Sequence, residues 1–297
     1  MRRQPSYDFF EQIKDINNMK KCFFLALFAV SFTTSAIVIR DDVEDEQYQV
    51  PASTLPALAD FPGEGHGVLI SPQWVVTAAH VVHMQHVQKI LVNGLSRKVE
   101  SVVVHSGYRM PPEMLVKEAL ASGDGSELRA FLASSDDIAL IKLKAPVTDA
   151  KPVSLYRGSN EIGRTVQLIG KGATGNGSEG VEPHSPHRTT LRRAFNIISS
   201  VDERWISYTF DSPESAVPLE GVSGNGDSGG PVLIREEQQW QLAGLVSWDS
   251  SERDLRTYRG PLYGDGGNNV RISHYIAWIE STLSGEEQKQ GLEPAGG

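Results

Sequence analysis

The chain has 297 residues, of which 39% are hydrophobic and 22% are charged, and its formal net charge is −9. This length and apolar content are sufficient for one large buried core or two smaller ones, so a globular protein is expected. The acidic balance argues against the broadly basic surface with which proteins bind phosphates, and it excludes nucleic acid as an expected partner.

The first predicted element is a leader over residues 1–36 that contains a secretion signal. A short basic start (MKK, 19–21) precedes an apolar run (22–32) and small residues that end at Ala36. The apolar run is shorter than the roughly 20 residues that span a bilayer, so cleavage is favoured over a stable membrane anchor. The polar segment before Met19 suggests that translation starts at Met19. The sequence therefore predicts a secreted protein, either extracellular or periplasmic.

The part of the chain after the leader has the pattern of an all-β protein. Short β-rich runs recur there, and Gly, Pro, Asn or Asp residues bound them. They are residues 67–70, 74–78, 89–92, 98–104, 138–143, 165–169, 190–198, 205–210, 231–234, 239–248 and 269–273.

Three further segments complete the predicted organisation. Residues 111–135 read as an insertion with a helical turn over 113–120, expected as a surface loop or as a border of the cleft. Apolar residues at helical intervals over 273–283 predict a short C-terminal helix. The polar residues 284–297 predict a disordered tail. His184 and His187, in a long glycine-rich loop, are expected to be exposed to solvent.

Three motifs, in chain order, carry the groups that acyl transfer needs. Residues 224–231 read GNGDSGGP, which presents the Ser228 hydroxyl beside backbone N–H groups that can stabilise an oxyanion. A β-rich run ends in TAAH, whose His80 is a candidate base, and DIAL follows directly after Asp137, a candidate carboxylate to orient it. The order His80, Asp137, Ser228 is that of the chymotrypsin-type triad.

Together, TAAH, DIAL and GDSGGP resemble the trypsin/chymotrypsin-type serine proteases, and the resemblance covers the predicted protease domain, residues 37–283. It implies two six-stranded antiparallel β-barrels, with the active site in the cleft between them. His80 and Asp137 would come from the first barrel and Ser228 from the second. It also implies a protein or peptide substrate, with neither a metal nor a cofactor. Asp136 competes for the acid role, but the family motif favours Asp137 and makes Asp136 a solvated neighbour.

The resemblance also implies an oxyanion hole and a means of activation. The oxyanion hole would be formed by the N–H groups of Gly226 and Ser228. In the family, a newly formed Ile-Val amino terminus pairs with the aspartate before the nucleophile, so cleavage after Ala36 would pair Ile37 with Asp227. The chain continues Ile-Val-Ile-Arg instead of the usual Ile-Val-Gly-Gly, and an ordinary mature terminus in a strand is the alternative. We expect signal cleavage itself to activate the enzyme.

The substrate pocket is the third site that the resemblance implies. Val222, six residues before the nucleophile, stands where trypsins have an aspartate, so a small or apolar residue is expected on the acyl side of the cut. Ser247, Trp248, Asp249 and Gly267 would complete this pocket. Asp249 would either narrow the pocket or place a negative charge at its rim.

Other interpretations stay open on the sequence. A protease-like binding module without turnover is the main alternative. His80, His83 and His86 could bind zinc, but the glutamate that usually accompanies such histidines is missing. The acidic run 41–46 could bind calcium, but it lacks the pattern of a calcium loop and is expected to be solvated. Cys22, the only cysteine, lies in the leader, and a secreted member without disulfides favours a bacterial source. The oligomeric state is not determined by these features.

Overall fold

The computed structural model describes residues 37–172, 175–181 and 190–290. The predicted leader, His184, His187 and residues 291–297 lie outside the described residues.

The described chain is built mainly from short strands. They are β1 (Val38–Ile39), β2 (Leu58–Asp60), β3 (His66–Ser71), β4 (Trp74–Thr77), β5 (Lys89–Val92), β6 (Leu95–Val104), β7 (Ala139–Leu143), β8 (Thr165–Gly170), β9 (Gly175–Asn176), β10 (Gly180–Val181), β11 (Arg192–Val201), β12 (Trp205–Thr209), β13 (Gly221–Val222), β14 (Pro231–Glu236), β15 (Gln239–Ser250) and β16 (Gly266–Arg271). The α-helices are α1 (Ala79–His83), α2 (Glu113–Ser122), α3 (Ser126–Ala133) and α4 (Ile272–Gln290).

Twelve of these strands close into two antiparallel barrels. The first has the order β2-β3-β4-β7-β6-β5 and the second has the order β11-β12-β16-β15-β14-β8. Burial alternates along β5, where Ile90 and Val92 point inward and Lys89 and Leu91 point outward, as the two-residue period of a strand requires. The predicted fold of two six-stranded barrels is confirmed.

One apolar core joins the two barrels and the C-terminal helix. Val76 and Leu140 of the first barrel belong to the same buried cluster as Leu245 of the second barrel and Tyr275 and Ile279 of α4. The cleft between the barrels therefore has a continuous hydrophobic base, and groups on the two barrels are held at fixed separation.

A small mixed sheet lies outside the barrels and was not expected from the sequence. Its order is β10-β9-β1-β13, with Val38 opposite Val222 in the antiparallel pair. These strands are two residues long, too short to show a period. Strand β2, which closes the first barrel, was missed for the same reason.

Helix α4 continues through 284–290 to Gln290, within the segment predicted as a disordered tail. The packed residues Tyr275 and Ile279 hold the first turns of this helix, and extending an existing helix is much easier than starting one. Five of the seven residues in this continuation are Glu, Gln or Lys, which are good helix formers. No helix in the described ranges is long and apolar enough to cross a membrane.

Candidate active site

The register of β4 and β7 brings the predicted base and acid to one end of the first barrel. Thr77, at the end of β4, lies opposite Ala139, at the start of β7. Helix α1 begins just after β4 and carries His80 in its first turn, while Asp137 stands two residues before β7. Because the strands are antiparallel, the residue that follows one and the residue that precedes the other must be neighbours.

His80 and Asp137 form a closed pair. The Asp137 Oδ2 atom lies 2.7 Å from His80 Nδ1, and Oδ1 accepts the His80 backbone N–H at 2.8 Å. Burial alone lowers the pKa of His80, but the charge and hydrogen bond of Asp137 outweigh it and hold the pKa above its ordinary value. Burial alone raises the pKa of Asp137, but the charge and bonds of His80 and a bond from Ser247 hold it below its ordinary value.

Ser247, predicted for the substrate pocket, also contacts the acid. Its hydroxyl donates to Asp137 Oδ2 at 2.5 Å. Ser247 comes from β15 of the second barrel, and this bond therefore crosses the cleft. Nothing in the sequence around Ser247 indicated this contact, since its partner is 110 residues away.

The Ser228 loop connects β13 to β14 and is seated on the same end of the first barrel. The His66 backbone N–H donates to the Ser228 carbonyl at 2.7 Å. At Gly229, where φ is +73°, a Cβ atom would lie only 2.3 Å from both the His66 carbonyl oxygen and the Thr77 hydroxyl. Only glycine permits this approach. The loop thus brings Ser228 to the end of the barrel where α1 begins with His80.

The backbone of this loop leaves two N–H groups available at the predicted oxyanion hole. Gly226 has φ of +92°, and the turn is held by the Asp227 N–H, which donates to the Gly224 carbonyl at 3.1 Å. Within the described residues, neither the Gly226 nor the Ser228 N–H donates to a protein acceptor. Such donors can receive a developing negative charge.

Asp227 is buried behind the loop, and its carboxylate contacts the Ile37 backbone nitrogen. Its Oδ2 accepts the Ile37 N–H at 2.7 Å and the Gly224 N–H at 3.2 Å, and Oδ1 accepts the Gly172 N–H at 3.4 Å. In the described part of the chain, no Lys or Arg side chain pairs with it. Burial therefore raises the pKa of Asp227 to about 7, although the three N–H groups act in the opposite direction.

Asp136 is not the solvated neighbour that was expected. It is buried, and its Oδ1 accepts from Arg204 Nε and from the Tyr275 hydroxyl, each at 2.8 Å, while Oδ2 lies 3.4 Å from His105 Nδ1. Arg204 immediately precedes β12 and Tyr275 lies on α4. Asp136 therefore ties the first barrel to the second barrel and to the C-terminal helix, directly beside Asp137.

The residues predicted for the substrate pocket lie in or beside the second barrel: Trp248, Asp249 and Gly267 are on its strands β15 and β16, and Val222 is on β13 of the small mixed sheet. Val222 is fully buried in β13 and packs in the hydrophobic core. Trp248 packs edge-on against Trp205, with ring centroids 5.7 Å apart, and Gly267 lies opposite Asp249 in the β15–β16 pair. The Asp249 carboxylate accepts the Tyr258 hydroxyl at 3.0 Å.

The insertion 111–135 folds into α2 and α3 and reaches across to the second barrel. The Leu255 N–H donates to the Gly123 carbonyl at 2.9 Å, and Arg129 donates to the Ser251 carbonyl at 2.7 Å. Ser251 and Leu255 belong to the loop that follows β15, which carries Trp248 and Asp249. Of the two expectations for the insertion, the contacts favour a border of the cleft.

Two side chains of the acidic run 41–46 form hydrogen bonds with the body of the protein, although the run was expected to be solvated. Asp45 forms two hydrogen bonds with the buried Arg192 guanidinium, at 2.6 and 2.8 Å, and Asp41 accepts the Tyr263 hydroxyl at 2.7 Å. These bonds fasten the segment after β1 to the second barrel. Across the described ranges, no group of three or more His, Cys, Asp or Glu side chains is arranged to hold a metal ion.

Comparison with known proteins gives concordant results. The Trypsin family model matches residues 46–279. Complement C1s subcomponent of Sus scrofa is 29% identical over 73% of the chain, and snake venom serine protease rhinocerase 4 of Bitis rhinoceros is 27% identical over 74%. The chain spans 32% of the length of complement C1s and 77% of the length of the venom protease.

The fold has a solved counterpart in neuropsin, a serine protease of mouse brain. The match has a TM-score of 0.56 and covers 80% of this chain and 98% of neuropsin, with 21% sequence identity. The family model covers well over half of the chain, and it includes His80, Asp137 and Ser228. The chain therefore belongs to the trypsin family.

Proposed function

We propose that the chain is a secreted serine endopeptidase that cuts peptide bonds through an acyl-enzyme on Ser228. The observation that carries this proposal is the His80–Asp137 pair, at 2.7 Å, on the end of the barrel where the Ser228 loop is seated. A base held by a buried carboxylate, beside a serine with unengaged N–H groups, is the machinery of acyl transfer.

In the proposed mechanism, Asp137 keeps a proton on His80 Nδ1, so that Nε2 is free to accept one. His80 Nε2 removes the Ser228 proton as Oγ attacks the substrate carbonyl carbon. The Gly226 and Ser228 N–H groups receive the oxyanion, a contribution of about 3 kcal/mol per donor. His80 then gives the proton to the leaving amine, and a water molecule repeats the cycle on the acyl-enzyme.

The test is covalent labelling with a fluorophosphonate, which reacts only with an activated serine. We expect labelling of the protein that begins at Ile37 and none of Ser228→Ala. The matched control Ser199→Ala, which changes an exposed serine on β11, should be labelled like the wild type. A folded wild-type protein that is not labelled contradicts the proposal and favours the alternative, a protease-like binding module.

We further propose that removal of the leader creates the active form. The support is the 2.7 Å contact of Ile37 N with Asp227, a buried carboxylate that has no cation beside it in the described structure. A free amino terminus at Ile37 would supply that positive charge, and a buried ion pair is stable only when both partners are present. Amino-terminal sequencing of the secreted protein tests this, and a mature start elsewhere than Ile37 refutes it.

The substrate is proposed to be a protein or peptide with a small or apolar residue on the acyl side of the cut. Val222, at the base of the implied pocket, provides no charge for a basic side chain and is buried in the core. A peptide library cleaved by the protein that begins at Ile37 tests this preference. The predicted secretion and bacterial source rest on the leader and on the single cysteine, and they stay predictions.

A further inference from the structure

Three residues on neighbouring strands of the second barrel form a row beside the implied pocket. Tyr208 of β12 is the register partner of Gly267 of β16, and Gly267 is the register partner of Asp249 of β15. Residues that lie opposite one another in a sheet project from the same face. Gly267 therefore leaves a gap between the Tyr208 and Asp249 side chains.

The Tyr208 ring fills this gap. A Cβ atom placed on Gly267 would lie 2.7 Å from the ring Cε2 and 2.8 Å from both Cζ and the hydroxyl oxygen. The hydroxyl oxygen lies 3.2 Å from the hydroxyl of Ser223, the residue after Val222. The ring thus crosses from Gly267 to the segment that carries Val222, which are two of the predicted sides of the pocket.

The ring is also fixed in this position. Tyr208 is 1% exposed, and it belongs to the same buried cluster as Val222, Val246 and Phe210. A side chain packed on all sides at the density of a protein interior cannot swing away without opening a cavity. The ring is therefore part of the barrel core and does not act as a movable cover.

Asp249 does not offer a free charge at this place. Its carboxylate accepts the hydroxyl of Tyr258, which follows on the loop after β15. Burial raises the pKa of Asp249 to about 7, so the negative charge is costly there. Recognition of a basic side chain by Asp249 would have to overcome this cost of ionisation.

We propose that Tyr208 is the specificity-determining residue of the site, because its ring occupies the space where the side chain on the acyl side of the cut would lie. The enzyme then accepts glycine, alanine or serine at that position and rejects leucine, phenylalanine and arginine. This inference rests on the proposed protease function and narrows its substrate class.

The test uses peptides that differ only in the residue on the acyl side of the cut: alanine, leucine, phenylalanine or arginine. For the wild-type protein, we expect kcat/KM for alanine to exceed each of the others by at least about tenfold, the size of discrimination that steric exclusion produces. In Tyr208→Ala, leucine and phenylalanine should gain at least about tenfold relative to alanine. The matched control Tyr208→Phe keeps the ring, and it should keep the wild-type ranking.

Fluorophosphonate labelling of every variant shows whether its active site is assembled. A labelled Tyr208→Ala protein with the wild-type ranking overturns the inference, and so does a wild-type protein that cleaves after phenylalanine as fast as after alanine. If Tyr208→Ala is not labelled, Tyr208→Val leaves a smaller cavity and should show the same relaxation towards leucine. Failure of the protease function itself has a different signature, since the wild type would then be neither labelled nor active on any peptide.

Discussion

Each half of the site contains a buried aspartate, and the pKa values of the two carboxyl groups are shifted in opposite directions. Asp137, in the first barrel, has an imidazole partner, and the pKa of its carboxyl is held below the ordinary value. Asp227, in the second barrel, accepts three backbone N–H groups but has no cation in the described structure, and burial raises its pKa to about 7. Folding alone pairs the base with the acid, whereas in the activation proposed above the loop of the nucleophile is complete only when a positive charge reaches Asp227.

The largest expected effect comes from breaking the complete half. In Asp137→Asn, the amide can no longer stabilise the protonated imidazole, and it favours the wrong tautomer of His80. We expect kcat to fall by about 10⁴-fold. Steady-state kinetics on a peptide substrate measures the loss. The melting temperature serves as the control for folding, and a folded variant with kcat within tenfold of the wild type would remove His80–Asp137 from the mechanism.

The proposed role of a positive charge at Asp227 is tested by comparing two proteins, one that begins at Ile37 and one that keeps Ala36. When Ala36 is kept, the Ile37 nitrogen is an uncharged amide, and the pKa of Asp227 stays near 7. A carboxyl whose folded pKa is raised stabilises the fold fully below its unfolded pKa, and this stability is lost as the pH rises through 7. The difference between 3.8 and about 7 corresponds to about 4 kcal/mol. In the protein that begins at Ile37, the ammonium group lowers the pKa of Asp227 and most of this loss disappears.

Urea unfolding of both proteins at pH 4 and pH 8 measures this loss. Asp249, whose pKa is also raised to about 7, contributes to both proteins alike, so the comparison isolates Asp227. Asp227→Asn is the matched control, and it should remove the pH dependence that is specific to the longer protein. Equal pH dependence in the two proteins would contradict the activation proposal.

The next prediction concerns the contact between Asp136 of the first barrel and Arg204 of the second barrel. Asp136→Asn removes the charged partner of Arg204, and we expect a loss of about 2 kcal/mol in the free energy of unfolding, a value reduced because Arg204 is one-third exposed. Tyr275 and Arg204 hold the pKa of Asp136 below its ordinary value against the effect of burial. Stability from this carboxyl is therefore present above the unfolded pKa and is lost as the pH falls through the folded pKa. The exposed Glu203, which also contacts Arg204, provides the control Glu203→Gln, with an expected change below about 0.5 kcal/mol.

Asp136 and Asp137 also show what could be read from the sequence and what could not. The three motifs and eleven of the twelve barrel strands were predictable, because the motifs are local and longer β-rich runs can be recognised, whereas β2 has only three residues. The environment of Asp136 could not be predicted from the sequence, because its partners Arg204 and Tyr275 are 68 and 139 residues away along the chain. The same holds for Ser247 and for Tyr208, whose contacts exist only after the barrels close.

The smallest expected effect concerns Ser247, the hydroxyl that crosses from the second barrel to Asp137. Ser247→Ala removes one hydrogen bond to a buried charged carboxylate. A hydrogen bond of this kind contributes about 1.5 kcal/mol of interaction free energy. Because His80 still binds Asp137 through Nδ1 and through its backbone N–H, the pair should persist with weaker orientation. We expect kcat to fall by about tenfold with little change in KM. Ser250→Ala, on the same strand and without a bond to Asp137, is the control. A change in KM alone would contradict this role and would indicate that Ser247 acts only in the predicted substrate pocket.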